Sequence, residues 1–371
     1  MKQKVIATLT ALIMGITFVP TFSLALEIND GNLENGTEIN SERSAQELAN
    51  EMSTFVNENE INNNLESEKD TYIVSEEDVD ISIPKDGDGS IIMGDELKNN
   101  QTEMKLPNEV KNVDAEKTDN GTIIYNPPNE NMSIGVQVLS VGEEKEQWSA
   151  IRVLITIDNA EANKEYGFKY NLPYGYKLIK AEDWYDEFIK TDETSMDDFV
   201  SSGEIYVISK DGMIIETIEP AWAYDANNNL IPTHYDIRGD ELVQVVEFDE
   251  NTAFPVIADP TKHPNKTVIK KIGKTKVKEI RDSYSTSKRV NYILGLFSLG
   301  SNFVVPQIGV PWTLASFACT SYYTKNYTLW NDAYVSMLEK SKTEIKVTVT
   351  YKWHSGKRCY YPLSNNLKFS L

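Results

Sequence analysis

Ile205-Tyr-Val-Ile-Ser-Lys-Asp-Gly-Met-Ile-Ile-Glu-Thr-Ile218 decides the fold. Two runs rich in β-branched and aromatic residues flank Asp211-Gly212, and that dipeptide between strands marks a hairpin. The expected turn is type I′, which needs positive φ at both central residues. Downstream, Thr233-His-Tyr-Asp-Ile237, a turn at Arg238-Gly239-Asp240 and Glu241-Leu-Val-Gln-Val-Val-Glu247 predict a second hairpin. Upstream, Ile151, Val153, Ile155 and Ile157 alternate with Arg152, Leu154, Thr156 and Asp158, the period of a strand with one buried face. Val136-Gln-Val-Leu139 and Tyr166-Gly-Phe-Lys-Tyr170 read the same way. Short strands at this spacing predict an antiparallel, sandwich-like or barrel domain over residues 119–261.

Three motifs inside that domain have simple readings. Arg238-Gly239-Asp240 spells a cell-attachment tripeptide, yet a hairpin turn that needs glycine explains it better. Asp225-Ala-Asn-Asn-Asn229 and Asp86-Gly-Asp-Gly89 resemble the start of a calcium loop. Both lack the later Gly and Glu of such a loop, so solvated turns are expected.

Ile218-Glu-Pro-Ala-Trp-Ala-Tyr-Asp-Ala-Asn227, Pro232-Thr-His-Tyr235 and Asn251-Thr-Ala-Phe-Pro-Val-Ile-Ala-Asp-Pro260 together carry a resemblance. The chain resembles exported proteins of Gram-positive bacteria (Bacillota and Actinobacteria) whose β-rich domain ends in aromatic-Pro-Val-x-Ala-Asp-Pro. The resemblance covers about the middle third of the chain. It implies export, a bacterial source and a domain edge near Pro260, and it implies no catalytic residue.

The first residues read as an export signal over 1–25. Lys2 and Lys4 precede the apolar run Val5–Val19, and Ser23-Leu-Ala25 offers small residues for cleavage. An uncleaved anchor helix is the alternative, although the apolar run is short for a bilayer. Residues 26–118 hold 24 acidic and 7 basic residues with few aromatics, a composition expected to stay mostly disordered. Within them Ser44-Ala-Gln-Glu47 is a capping-box pattern before Leu48, Met52, Phe55 and Val56. It marks either a short amphipathic helix or local coincidence.

Charge divides at one place. Up to Thr261 there are 18 Lys+Arg against 52 Asp+Glu, a balance of −34; from Lys262 there are 18 against 5, a balance of +13, and together they give the net −21. Pro260 to Pro264 reads as a linker into a basic, apolar module, 262–371. Helices are expected from about Thr275 to Leu299 and from Pro311 to Leu338. Glu344 to Tyr351 and Tyr360 to Leu371 then read as strands around Ser355-Gly-Lys357. The whole chain is therefore expected to be α+β, with a helical hairpin and a β-hairpin at its C-terminus.

An anionic membrane or cell envelope is the expected partner of that module. Lys270, Lys271, Lys274, Lys276, Lys278, Arg281, Lys288 and Arg289 supply charge, and Phe297 and Trp312 stand in apolar arms too short to span alone. A soluble hairpin packed on the terminal strands is the competing reading, because Ser298, Ser301, Asn302 and Gln307 dilute the apolarity. The acidic front region is a second candidate partner, shielding the basic module within the same chain. Cys319 and Cys359 are either a disulfide, as export permits, or two thiols.

Catalysis is not expected, and neither is a cofactor or metal. Only His234, His263 and His354 can serve as a histidine base, and no nucleophile elbow, zincin, Walker or dinucleotide motif occurs. The best catalytic pair is His354 with Cys359 across the last hairpin, aided by Lys357 and Arg358. Nucleic acid is not an expected partner for an exported chain. The function these features predict is a secreted, non-enzymatic surface-interaction protein, membrane-active in the manner of a bacteriocin. The alternative is a structural or adhesive β protein of the envelope.

Overall fold

The computed structural model describes residues 43–56, 60–75, 79–94, 101–128, 130–141, 148–188, 190, 200–284, 320–357 and 359–370. The expected export signal, residues 26–42, Lys288, Arg289, Phe297, Trp312 and Cys319 lie outside them.

Two antiparallel sheets face each other across one core. The first runs, in spatial order, β1 (Glu66–Ser67), β2 (Thr71–Ser75), β3 (Asp80–Pro84), β4 (Ser90–Gly94), β5 (Thr102–Lys105), β10 (Glu165–Tyr170), β16 (Glu241–Val246) and β15 (Thr233–Arg238). The second runs β11 (Lys177–Lys180), β12 (Ile205–Ile208), β13 (Ile214–Ile218), β18 (Thr261–Pro264), β9 (Trp148–Ile157), β8 (Met132–Val141), β7 (Ile123–Tyr125) and β6 (Glu116–Lys117). β17 (Val256–Ala258) joins β9 and carries β14 (Ala223–Tyr224). Ile81, Ile83, Ile91, Met93 and Phe168 of the first sheet meet Ile134, Val136, Val153, Ile155 and Val207 of the second in one buried cluster. This is the α+β, sandwich-like architecture that the alternating runs predict.

Residues 43–118 correct the expectation of a disordered lead. Their described stretches form α1 (Ala45–Ser53), β1 to β5 and β6. Composition averaged over the segment hides a period of two: Ile81 and Ile83, Ile91 and Met93, and Met104 are buried, while acidic residues such as Asp80 and Glu103 take the alternate positions. α1 begins with the expected capping box, Ser44 N–H to Glu47 Oε2 at 2.8 Å and Glu47 N–H to Ser44 Oγ at 3.3 Å. Its Leu48 and Met52 cover Ile124, Leu154 and Ile257 on the outer face of the second sheet. That cover is why β9 is buried on both faces rather than one.

The deciding hairpin is present with a different turn. Gly212 has φ +75°, but Asp211 does not share the positive φ that type I′ requires. Gly212 N–H bonds Ser209 O at 2.9 Å and Ser209 N–H bonds Met213 O at 2.8 Å. The loop therefore has three residues, Lys210-Asp211-Gly212, with glycine in the left-handed position. At the second hairpin Arg238 pairs with Glu241 across Gly239-Asp240, and the Arg238 guanidinium forks onto Glu165 at 2.6 and 2.9 Å. The tripeptide is a turn, as expected. Asp225 likewise folds on itself, accepting the N–H groups of Asn227 and Asn229.

The C-terminal lobe contains β19 (Lys266–Gly273), β20 (Glu344–His354) and β21 (Cys359–Ser370) in one sheet, with α3 (Lys274–Tyr284) and α4 (Thr320–Glu339). Val277, Trp330, Ala333, Met337 and Ile345 are buried there, and none of them belongs to the sandwich cluster. Among the described residues no helix is long and apolar enough to cross a membrane. The expected linker is corrected: Thr261–Pro264 is strand β18, hydrogen-bonded between β13 and β9 and fully buried. A module edge at 262 thus passes through the central sheet. The run after it is strand β19, where a helix was expected to begin only at Thr275.

Candidate functional site: the seat of the C-terminal hairpin

The far end of β20 enters the sandwich. Lys352 is fully buried, and its ammonium donates to Glu204 Oε2 at 3.2 Å and Tyr206 Oη at 2.8 Å. Tyr206 Oη in turn donates to Glu204 Oε2 at 2.5 Å. The other oxygen, Glu204 Oε1, takes the backbone N–H of Ser355 at 2.6 Å. A carboxylate this deep is costly unless every lone pair is used, and here both oxygens are.

Two further contacts hold the same tip. His354 Nδ1 lies 2.9 Å from Ser201 Oγ, which also accepts the N–H of Gly356 at 2.7 Å. Trp353 lies flat on His263, ring centroids 4.3 Å apart and planes 12° from parallel. Glu219 Oε1 receives both His263 Nε2, at 2.8 Å, and Trp353 Nε1, at 2.9 Å. Next to it Asp259 is buried, and burial with the nearby Glu219 charge pushes its carboxyl well up from the ordinary carboxylate range. The residues that receive the tip come from the segment before β12, from β12 itself, from the end of β13 and from β18.

Burial alone would raise the Glu204 carboxyl, but the Lys352 ammonium, the Tyr206 hydroxyl and the Ser355 amide bring it down to about 2, from an ordinary 4.5. A folded value below the unfolded one contributes stability above about pH 4.5 that is lost as pH falls through about 2. The full effect is about 3 kcal/mol. Hydrogen exchange of residues 352–357 should therefore stay flat from pH 7 to 4.5, after correction for the intrinsic rate, and accelerate only below that. Loss of protection near pH 6 would contradict this assignment.

Neither a known protein family nor a curated protein matches this chain. Chemistry must therefore be judged from the residues. Ser201 and His354 have the spacing of a nucleophile and its base, and the serine oxygen also accepts the N–H of Gly356. The pair holds the tip. His354 and Cys359 are register partners across β20 and β21, as the sequence suggests. Among the described residues no three His, Cys, Asp or Glu side chains gather as metal ligands do.

The expected basic residues divide into two groups. Lys270 and Lys271 lie on β19, opposite Val347 and Lys346. Lys274, Lys276, Lys278 and Arg281 lie on α3, where Lys276 pairs with Glu279 and Arg281 with Asp282. Lys271, Lys278, Lys340, Lys342 and Lys346 are exposed with no carboxylate partner among the described residues. Lys262 and Lys352 behave differently, each buried on a glutamate of the sandwich. The sequence named His263 only as a candidate base, and the seat residues Ser201, Glu204, Tyr206 and Glu219 were missed. The one signal was a lone charge beside apolar residues, Glu204 at the start of the run Ile205–Ile208 and Lys352 between Tyr351 and Trp353.

Proposed function

We propose that this chain is an exported, non-enzymatic binding protein whose sandwich presents a cationic C-terminal lobe to an anionic membrane surface. The observation that carries this reading is the pair Lys271 and Lys346, cross-strand partners that are both exposed and have no carboxylate partner among the described residues. Like charges directly opposite destabilise a sheet, so their retention needs a reason outside the fold. Lys278, Lys340 and Lys342 add exposed charge to the same lobe, while the rest of the chain is strongly acidic. Each basic residue near an anionic bilayer is worth about 1 kcal/mol.

Co-sedimentation of the full chain, without residues 1–25, with vesicles containing phosphatidylglycerol tests this. Lys271→Glu with Lys346→Glu should lower the partition coefficient by on the order of 100-fold or more at low salt, and wild-type binding should weaken as salt rises. Salt-independent binding, or none, would remove the membrane from the account.

The second reading, an envelope-structural or adhesive β protein, is supported by the buried docking of β20 into the sandwich. It expects envelope binding that survives the double charge reversal.

A further inference from the structure

We infer that the sandwich carries a built receptor site for the tip of its own C-terminal hairpin, and that the lobe docks there reversibly as a separate cooperative unit. The occupant is the segment Lys352-Trp-His-Ser-Gly356. Three observations support the site, and none depends on the membrane reading.

The junction is made of ionisable and polar groups. Glu204, Tyr206 and Ser201 meet Lys352, His354, Ser355 and Gly356, and Glu219 with His263 meets Trp353. Among the described residues, none from 266–371 belongs to the two buried clusters of the sandwich, while Val277, Trp330 and Met337 are buried in the lobe. Units joined through polar contacts separate more readily than two halves of one core, and here the apolar surface exposed on parting includes the Trp353 ring that lies on His263. The recognition is also specific. A buried ammonium needs a carboxylate at one depth, an indole N–H needs an acceptor at another, and the two sit on adjacent residues.

One sheet partner of β20 is also its covalent link to the sandwich. β20 pairs with β19 from Lys266 to Gly273, and β19 follows β18 of the sandwich after Asn265. Undocking therefore lifts the distal hairpin away while β18 stays in its sheet. Release would leave Glu204 facing water through the vacated channel, able to regain hydration.

Hydrogen exchange with mass spectrometry on the full chain, without lipid, reads this out. Glu204→Gln should raise exchange in residues 352–361 by on the order of 100-fold, because the buried Lys352 ammonium loses the Glu204 charge, while β8, β9 and β16 stay protected. Ser201→Ala, a gentler change that should fold, should raise the same segment alone by a smaller factor. Equal loss of protection in β8 and β16 would show the pair to be part of one cooperative core and overturn the inference. So would unchanged exchange at 352–361 in both variants. Either outcome is independent of vesicle binding, which tests the lysines of the lobe.

Discussion

Lys262→Ala is expected to lower the unfolding free energy by about 3–5 kcal/mol, because it leaves a buried carboxylate without its counter-charge. Lys262 on β18 reaches Glu216 on β13 at 3.3 Å, and both side chains are almost fully buried. Burial lowers the lysine pKa while Glu216 pulls it back up. Tyr170 Oη on β10 donates to Glu216 Oε1 at 2.9 Å, and Thr102 on β5 donates to the second oxygen. One carboxylate thereby ties both sheets together. Urea unfolding followed by far-ultraviolet dichroism should show the midpoint fall with little change in slope. Lys262→Met with Glu216→Leu should recover part of the loss. The recovery stays partial, since the Tyr170 hydroxyl then loses its Glu216 acceptor, at about 1–3 kcal/mol, while Thr102 keeps the Met93 carbonyl. A single-variant loss below about 1 kcal/mol would mean that water or a shifted pKa already relieves the charge.

The same lysine shows where sequence reading stops. Alternation made β9, β10, β15 and β16 legible, because a period of two is a local property of the chain. The capping box made α1 legible in the same way. Lys262 looks like the first residue of a basic run, and nothing near it reveals a glutamate 46 positions upstream. Lys352 and Glu204 are 148 positions apart. Ion pairs at that separation exist only once the topology has been made. The acidic lead was misread for a related reason: its charges sit on the solvent face of strands, where they cost little, yet they dominate any average over the segment. The turn at Gly212 fell between. Glycine was rightly read as the left-handed residue, but Asp-Gly fits both a two-residue and a three-residue loop, and only Ser209 and Met213 closing the ladder decides.

Trp184→Ala should have the other large effect, about 3–5 kcal/mol, and it should also disturb the hairpin seat. Trp184 lies on α2 (Ala181–Phe188), a helix the sequence reading did not find, and is fully buried. Its indole N–H donates to Gly212 O at 2.9 Å, and its ring meets Tyr206 edge-on with centroids 5.6 Å apart. The start of α2 is fastened to the segment before β12. Ala181 N–H bonds Glu204 O at 2.9 Å, and Glu182 accepts from Ser202 Oγ and Gly203 N–H. Removing the indole therefore unloads the helix that positions Ser201 and Glu204, and it frees the Tyr206 ring over which Lys352 sits at 4.7 Å. Trp184→Phe keeps an aromatic edge near Tyr206 but leaves the Gly212 carbonyl without its donor, so a loss of about 1–3 kcal/mol is expected. Thermal unfolding ranks the two variants, and exchange at residues 352–361 reports the seat. If Trp184→Ala lowers stability while leaving that exchange at the wild-type rate, α2 supports the sandwich but does not position the seat.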